Sequence, residues 1–229
     1  MSLGSLDFLN MIKNSAEGSS FYKTEDGTDT KKAVNATNRA CSNAAASFAV
    51  IDTETNWHNQ VMSLGVAIAD EKTCRCIDKR YYIFDPECRV GGMYSGVMNY
   101  GDVKAVKTKR NNAIEDLHRF LSEHGVRRIM AYNAKFDYGH LPELSGYQWY
   151  DIMRIAAYKQ YNAAIPADAE CCKTGRLKTD YGVEPILQLL SKDRRYMEIH
   201  NAVCDAIDEL RIVELLGLDL SIYDCARIN

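Results

Sequence analysis

The sequence of 229 residues has no excess of basic charge: 28 Lys and Arg stand against 31 Asp and Glu, a net charge of −3. That excludes a global attraction to nucleic acid, so any contact with a polyanion must be local or mediated by a cation. No apolar run reaches the roughly 20 residues that cross a bilayer, and no apolar h-region follows the N-terminus. The expectation is a soluble, cytoplasmic protein with no membrane partner. Cysteine is plentiful, at eight, but no C-x-x-C pair is present. Cys74 and Cys76 are one residue apart, Cys171 and Cys172 are adjacent, and Cys41, Cys88, Cys204 and Cys225 are scattered. This spacing favours free, reduced thiols over a disulfide framework or a zinc site. Neither an internal repeat nor a low-complexity tract occurs. With 46% hydrophobic residues, the chain has enough apolar material for one domain of ordinary size plus an extension.

The extension covers residues 1–46. Residues 5–14 have helix-like apolar spacing, residues 15–46 are polar and small, and a short helix is expected near Lys31–Ala45. The main domain, 47–229, opens with three strands joined by short connections: Phe48–Asp52, Val61–Ala69 and Cys74–Phe84, an antiparallel meander. Residues 87–110 read as irregular and carry a basic cluster of Lys104, Lys107, Lys109 and Arg110. A solvated loop is the simpler account of that cluster, and phosphate contact the alternative. From residue 111 helix and strand alternate: a helix Ala113–His124 stopped by Gly125, a strand Arg127–Tyr132, a helix Ala134–Leu144, a strand Trp149–Ile152 and a helix Met153–Tyr161. A loop over 162–181, with Lys173, Arg176 and Lys178, precedes helices at Val183–Leu190 and Ala202–Leu216. A meander followed by strand–helix units implies an α/β fold with a mixed sheet flanked by helices.

The stretch Ala49-Val50-Ile51-Asp52-Thr53-Glu54-Thr55 runs a buried strand into two carboxylates. Spaced i, i+2, Asp52 and Glu54 point to one face and repel. A divalent cation, a shared proton or a plain acidic turn would each answer that repulsion; oxygen-only ligands favour Mg²⁺ or Mn²⁺ over zinc. Asp137 lies early in a helix, where an acid also suits the helix dipole. His200 and Asp205 are five positions apart, about 500° on a helix, so they do not share a face. His200 therefore belongs at or before the helix start, and Asp205 sits beside an apolar stripe where an unpaired carboxylate is costly. Asp208, one turn on, competes with Asp205 for this role, but the small neighbour Ala206 and the spacing from His200 favour Asp205.

Taken in order, Asp-x-Glu on a strand, Asn-x-x-Phe-Asp after a strand and His-x-x-x-x-Asp on a late helix resemble the DEDDh branch of the DEDD exonucleases, which includes proofreading subunits of bacterial DNA polymerase III, ribonuclease T and oligoribonuclease. The match spans roughly residues 47–217. The resemblance implies a ribonuclease H-like fold on a mixed five-stranded sheet, and 3′→5′ hydrolysis of nucleic acid releasing nucleoside 5′-monophosphates. It implies two Mg²⁺ or Mn²⁺ held by Asp52, Glu54, Asp137 and Asp205, with His200 as general base. The partner it implies is a single-stranded 3′ end, of DNA or RNA, and several relatives are homodimers. Asp151 matches a secondary acidic position. Thr53, Thr55, Asn133 and Phe136 are candidates for contact with the terminal nucleotide, and Met62 and Leu64 for wedging against bases. Tyr132 and Asn201 depart from the family pattern, where His and Arg are frequent. A catalytically idle exonuclease-like binding domain and a zinc-stabilised binding module are the competing readings.

Overall fold

The computed structural model describes residues 46–229, so the helices expected at 5–14 and near Lys31–Ala45 lie outside the described residues. The elements are β1 (Ser47–Thr55), β2 (Val61–Asp70), β3 (Cys76–Phe84), β4 (Val106–Thr108), α1 (Arg110–Glu123), β5 (Arg128–Ala131), α2 (Lys135–His140), β6 (Gln148–Asp151), α3 (Met153–Ala156), α4 (Val183–Ser191) and α5 (Ala202–Leu216). They form one mixed sheet in the order β4-β3-β2-β1-β5-β6. β1, β2 and β3 are the expected antiparallel meander. Its second turn is fixed by Asp70, whose Oδ1 accepts from the backbone of Lys72 and Thr73 and from the Thr73 hydroxyl. β5 then joins β1 in parallel, and β6 joins β5 in parallel.

The mixed, helix-flanked α/β sheet matches the expectation, with one strand more than the five expected. β4 is a three-residue edge strand parallel to β3, too short and too polar to show as a periodic pattern. The helix expected over 134–144 stops at His140, because Leu141 precedes Pro142 and leaves the helical region at φ −124°. The helix expected from Met153 is cut to one turn, after which Leu177 N donates to Ala157 O and draws the 158–181 loop back onto the domain.

The sheet buries both faces. Phe48 and Val50 of β1 pack with Ile186 and Leu187 of α4 and Ala206, Leu210 and Val213 of α5. Ala49 and Ile51 pack the other way, with Ile114, Leu117 and Phe120 of α1. Burial on both faces explains why β1 and β2 read as near-continuous apolar runs. The alternation carries on past the core: Asp52 and Glu54 share the parity of Val50 and face α5, while Thr53 shares that of Ile51.

One glycine sets how closely α5 meets the sheet. Gly65 of β2 stands opposite Asp52 in register, and a Cβ there would lie 2.1 Å from Ala202 O and 2.3 Å from Val203 N. The first turn of α5 therefore rests on sheet backbone with no side chain between. Gly65→Ala is expected to cost about 2 kcal/mol or more by overpacking. Gly146→Ala, whose added Cβ has nothing within 4 Å, should stay within about 0.5 kcal/mol of wild type. Urea unfolding of the two variants checks the contrast.

Candidate active site

β1 and β5 run parallel and end on the same side of the sheet, where the first turns of α2 and α5 also arrive. Four of the expected residues enter from three elements: Asp52 and Glu54 from β1, Asp137 from α2 and Asp205 from α5. His200 precedes the N-cap of α5, Asn201, at φ +60°. Ligand atoms of Glu54, His200 and Asp205 lie within 4.8 Å of one another. Asp137 and Asp205 are 2% and 3% exposed.

The electrostatics are those of acids held together without a counter-charge. Burial lifts Asp52 well above the ordinary carboxylate range, and the charges of Glu209, Asp137, Asp205 and Glu54 lift it further. Burial, then Glu198 and Asp137, push Glu54 to about 8. Burial, then Glu198 and Glu54, push Asp205 to about 8. Asp137 rises to about 7 by burial, against the hydrogen bonds it accepts from Thr53. Asp52 Oδ2 and Asp205 Oδ1 are sealed from solvent and accept no hydrogen bond. Buried carboxylate oxygens without partners carry a large penalty, and a hard divalent cation is the partner their chemistry fits. The donor set is therefore one that a divalent cation would fit.

The supports of these groups come from far along the chain. Thr53 gives Asp137 Oδ1 its backbone N–H at 3.0 Å and its hydroxyl at 2.8 Å. Both donors of Thr53, expected to face a nucleotide, thus hold the second-motif acid. Asn133, also at φ +60°, donates its N–H to Asp151 Oδ1 at 3.1 Å; this acid also accepts from Met153 N. The two departures from the family pattern are structural ties. Asn201, 1% exposed, accepts from Cys204 N and donates to Val97 O at 2.9 Å. Tyr132 gives its hydroxyl to Tyr181 O and its N–H to Glu209 Oε2 at 2.9 Å. Met62 and Leu64 are fully buried in the core, Thr55 is half-buried at the end of β1, and Asn133 and Phe136 are exposed.

Three participants were not anticipated. Glu209, 2% exposed, lies one helical turn below Asp205, and burial and Asp137 raise its carboxyl strongly. Its signal was present in the sequence: an acid within the apolar stripe of a helix. Glu198 Oε1 is 3.9 Å from His200 Nδ1, and Tyr94 stacks on the His200 ring at 4.2 Å between centroids. Tyr94 comes from the irregular 87–103 segment, which nothing in the sequence ties to His200. Asp208, by contrast, accepts from the Tyr196 hydroxyl.

No protein-family model and no curated protein matches the sequence. Solved structures do match in fold. A 3′-exonuclease from a complex described as 3′-end-specific recognition of a histone mRNA stem-loop aligns with TM-score 0.52 at 11% identity, over 76% of this chain and 64% of that one. Exonuclease I of E. coli, bound to a 5cy-dT13 oligonucleotide, aligns with TM-score 0.53 at 11% identity, over 79% of this chain but only 42% of its own length. A full-length 3′-exonuclease aligns with TM-score 0.51 at 11% identity, over 80% and 84%. The resemblance carried by the three motifs holds at the level of fold: the chain has the α/β architecture of 3′-exonucleases.

Two outcomes follow from the buried acids. In the metal-free protein, Glu54, Asp137 and Asp205 keep protons up to about pH 7–8 that the unfolded chain releases near pH 4. Stability should therefore fall as pH rises from about 4 to about 8, and Mn²⁺ should restore it most at the upper end. Thermal unfolding with EDTA and with Mn²⁺ at pH 5 and pH 8 tests both parts. Glu209→Ala strands the N–H of Tyr132 and should cost about 1–3 kcal/mol. Glu209→Gln keeps an acceptor for that N–H and cannot ionise, and should unfold in urea no earlier than wild type.

Proposed function

We propose that the chain is a metal-dependent 3′→5′ exonuclease, hydrolysing the terminal phosphodiester bond of a single-stranded nucleic acid and releasing nucleoside 5′-monophosphates. The observation that carries this reading is the convergence of carboxylates with unpartnered buried oxygens beside a histidine, in a fold shared with 3′-exonucleases. A domain that only bound a partner would have no use for acids kept together at such electrostatic cost.

Asp52, Glu54, Asp137 and Asp205 would hold two Mg²⁺ or Mn²⁺. Bound there, the ions would supply Lewis-acid stabilisation of charge on the phosphate oxygens and a more acidic water. The residues of the chain supply the rest. His200 is 39% exposed at its side chain, so it remains reachable by a water while its ring is held flat against Tyr94. Water oxygen attacks phosphorus, the P–O3′ bond breaks, and His200 takes the proton of the water. The departing 3′ oxygen is protonated from solvent. Thr53 fixes the aim of Asp137, and Asn133, Thr55 and the exposed ring of Phe136 would meet the terminal nucleotide.

The test uses single-stranded DNA and RNA labelled at the 3′ or the 5′ end, with Mn²⁺. Wild type should shorten strands stepwise from the 3′ end, His200→Ala should lower the rate about 10²–10⁴-fold, and Asp52→Ala should abolish it. Binding without cleavage, across metals and both polymers, would sink the enzyme reading in favour of an idle binding domain.

A further inference from the structure

An acidic site presents a problem to a polyanionic strand: beyond the terminal phosphodiester, the rest of the backbone is repelled by the same carboxylates. A strand needs a cationic route beside them. Two clefts on the domain provide one. The first, about 570 Å³, is lined by Asn59 and Gln60, by Lys135, Phe136 and His140 of α2, the helix that carries Asp137, and by Arg110 and Glu87. The second, about 610 Å³, is lined by Pro86, Arg89, Lys107, Lys109 and Asn112, together with Asp85 and Thr108. Glu87 and Arg110 of the first cleft belong to the same two segments, 85–89 and 107–112, that line the second, so the clefts adjoin at the β4 edge of the sheet.

The charges in this channel are of two kinds. Arg89 is committed to Asp85 at 2.7 Å. Arg110 is committed to Glu143 at 2.8 Å and to His140 O at 2.6 Å. Lys107, Lys109 and Lys135 are exposed, and their ammonium groups make no hydrogen bond or ion pair among the described residues, Lys107 only helping to hold the Asp85 carboxyl low from a distance. Glu87 is the one acid facing them without a cation of its own, so the channel keeps a positive surplus in a chain of net charge −3. The basic residues of the 158–181 loop differ: Lys178 is paired with Glu170 at 3.1 Å, and the Arg176 guanidinium lies over the Tyr181 ring at 4.6 Å. At the mouth of the channel the Phe136 ring, 40% exposed and packed on His140 at 4.4 Å, offers a face on which a base can stack.

We propose that this channel is the docking surface for a single-stranded nucleic acid, with Lys135, then Lys109 and Lys107, meeting successive phosphates on the 5′ side of the terminal nucleotide. The direction of the strand rests on the exonuclease reading; the surface itself rests on the clefts and their free lysines. Isolated exposed lysines are ordinarily just solvated. These three are set apart by lining two adjoining clefts, one of them walled by Lys135 and Phe136 of α2, the helix that carries Asp137.

Fluorescence anisotropy of the full-length protein, with EDTA so that no strand is cut, tests it on labelled oligo-dT and oligo-rU of about 4 and about 12 nucleotides, within the range of single-strand site sizes. Lys107→Ala/Lys109→Ala/Lys135→Ala should bind the longer strand about tenfold more weakly at low salt. Its log–log salt slope should be shallower by about 2, each single-strand phosphate contact contributing about 0.7, and the affinity gained with length should shrink. A charge-matched control, Lys72→Ala/Lys79→Ala/Lys159→Ala, should keep the wild-type slope. Equal losses in the two variants, or an unchanged slope in the first, overturn the proposal. The two readings fail separately. Lysine-dependent binding by a protein that cuts nothing leaves the surface standing and removes the nuclease. Shortening from the 3′ end with no dependence on these lysines does the reverse.

Discussion

The mutual repulsion of buried acids at the end of β1 is the constraint around which the domain is built. Asp52, Glu54, Asp137, Asp205 and Glu209 each raise, or are raised by, the charges of others in the group. No cation of the described chain answers them. Other acids in the domain are matched, as Asp116 is by Arg80 and Arg119 and Glu143 by Arg110. The fold opposes the repulsion by mechanical means: the close seat of α5 on Gly65, the two donors of Thr53 to Asp137, and the cap and tether made by Asn201.

Much of this was legible in the sequence, for reasons that can be stated residue by residue. The period-2 placement of Asp52 and Glu54 survives folding because β1 is buried on both faces and its register is fixed by that burial. Asp205 was recognisable because a carboxylate beside an apolar stripe must have a use, and His200 because its spacing forced it off the helix. What was not legible depends on distance along the chain. Tyr94 reaches His200 across more than a hundred residues, and Glu209 reaches Tyr132 N across 77. No local pattern encodes such contacts. β4 was missed because three residues carry no periodicity, and Gly65 because a glycine within a strand does not announce what lies against it.

The likeness to known 3′-exonucleases is of the same kind. At 11% identity little remains of any particular side chain, yet the α/β fold is kept. In this chain few residues bring the acids together: a strand that ends in carboxylates, a neighbour that ends beside it, and a helix seated close enough to add another. The rest of the core has only to be apolar and of suitable volume.

The seat of α5 has a consequence for robustness. Because Ala202 and Val203 rest directly on the backbone of Gly65, the span from helix to strand at the site is a main-chain distance, with no side-chain cushion to swell or shrink. Repacking Ile186, Leu210 or Val213 in the core behind it alters how firmly the helix is held before it alters where the helix stands. Stability and site geometry are thereby partly uncoupled. The domain can drift in its interior while the gap between Asp52 and the first turn of α5 stays the same.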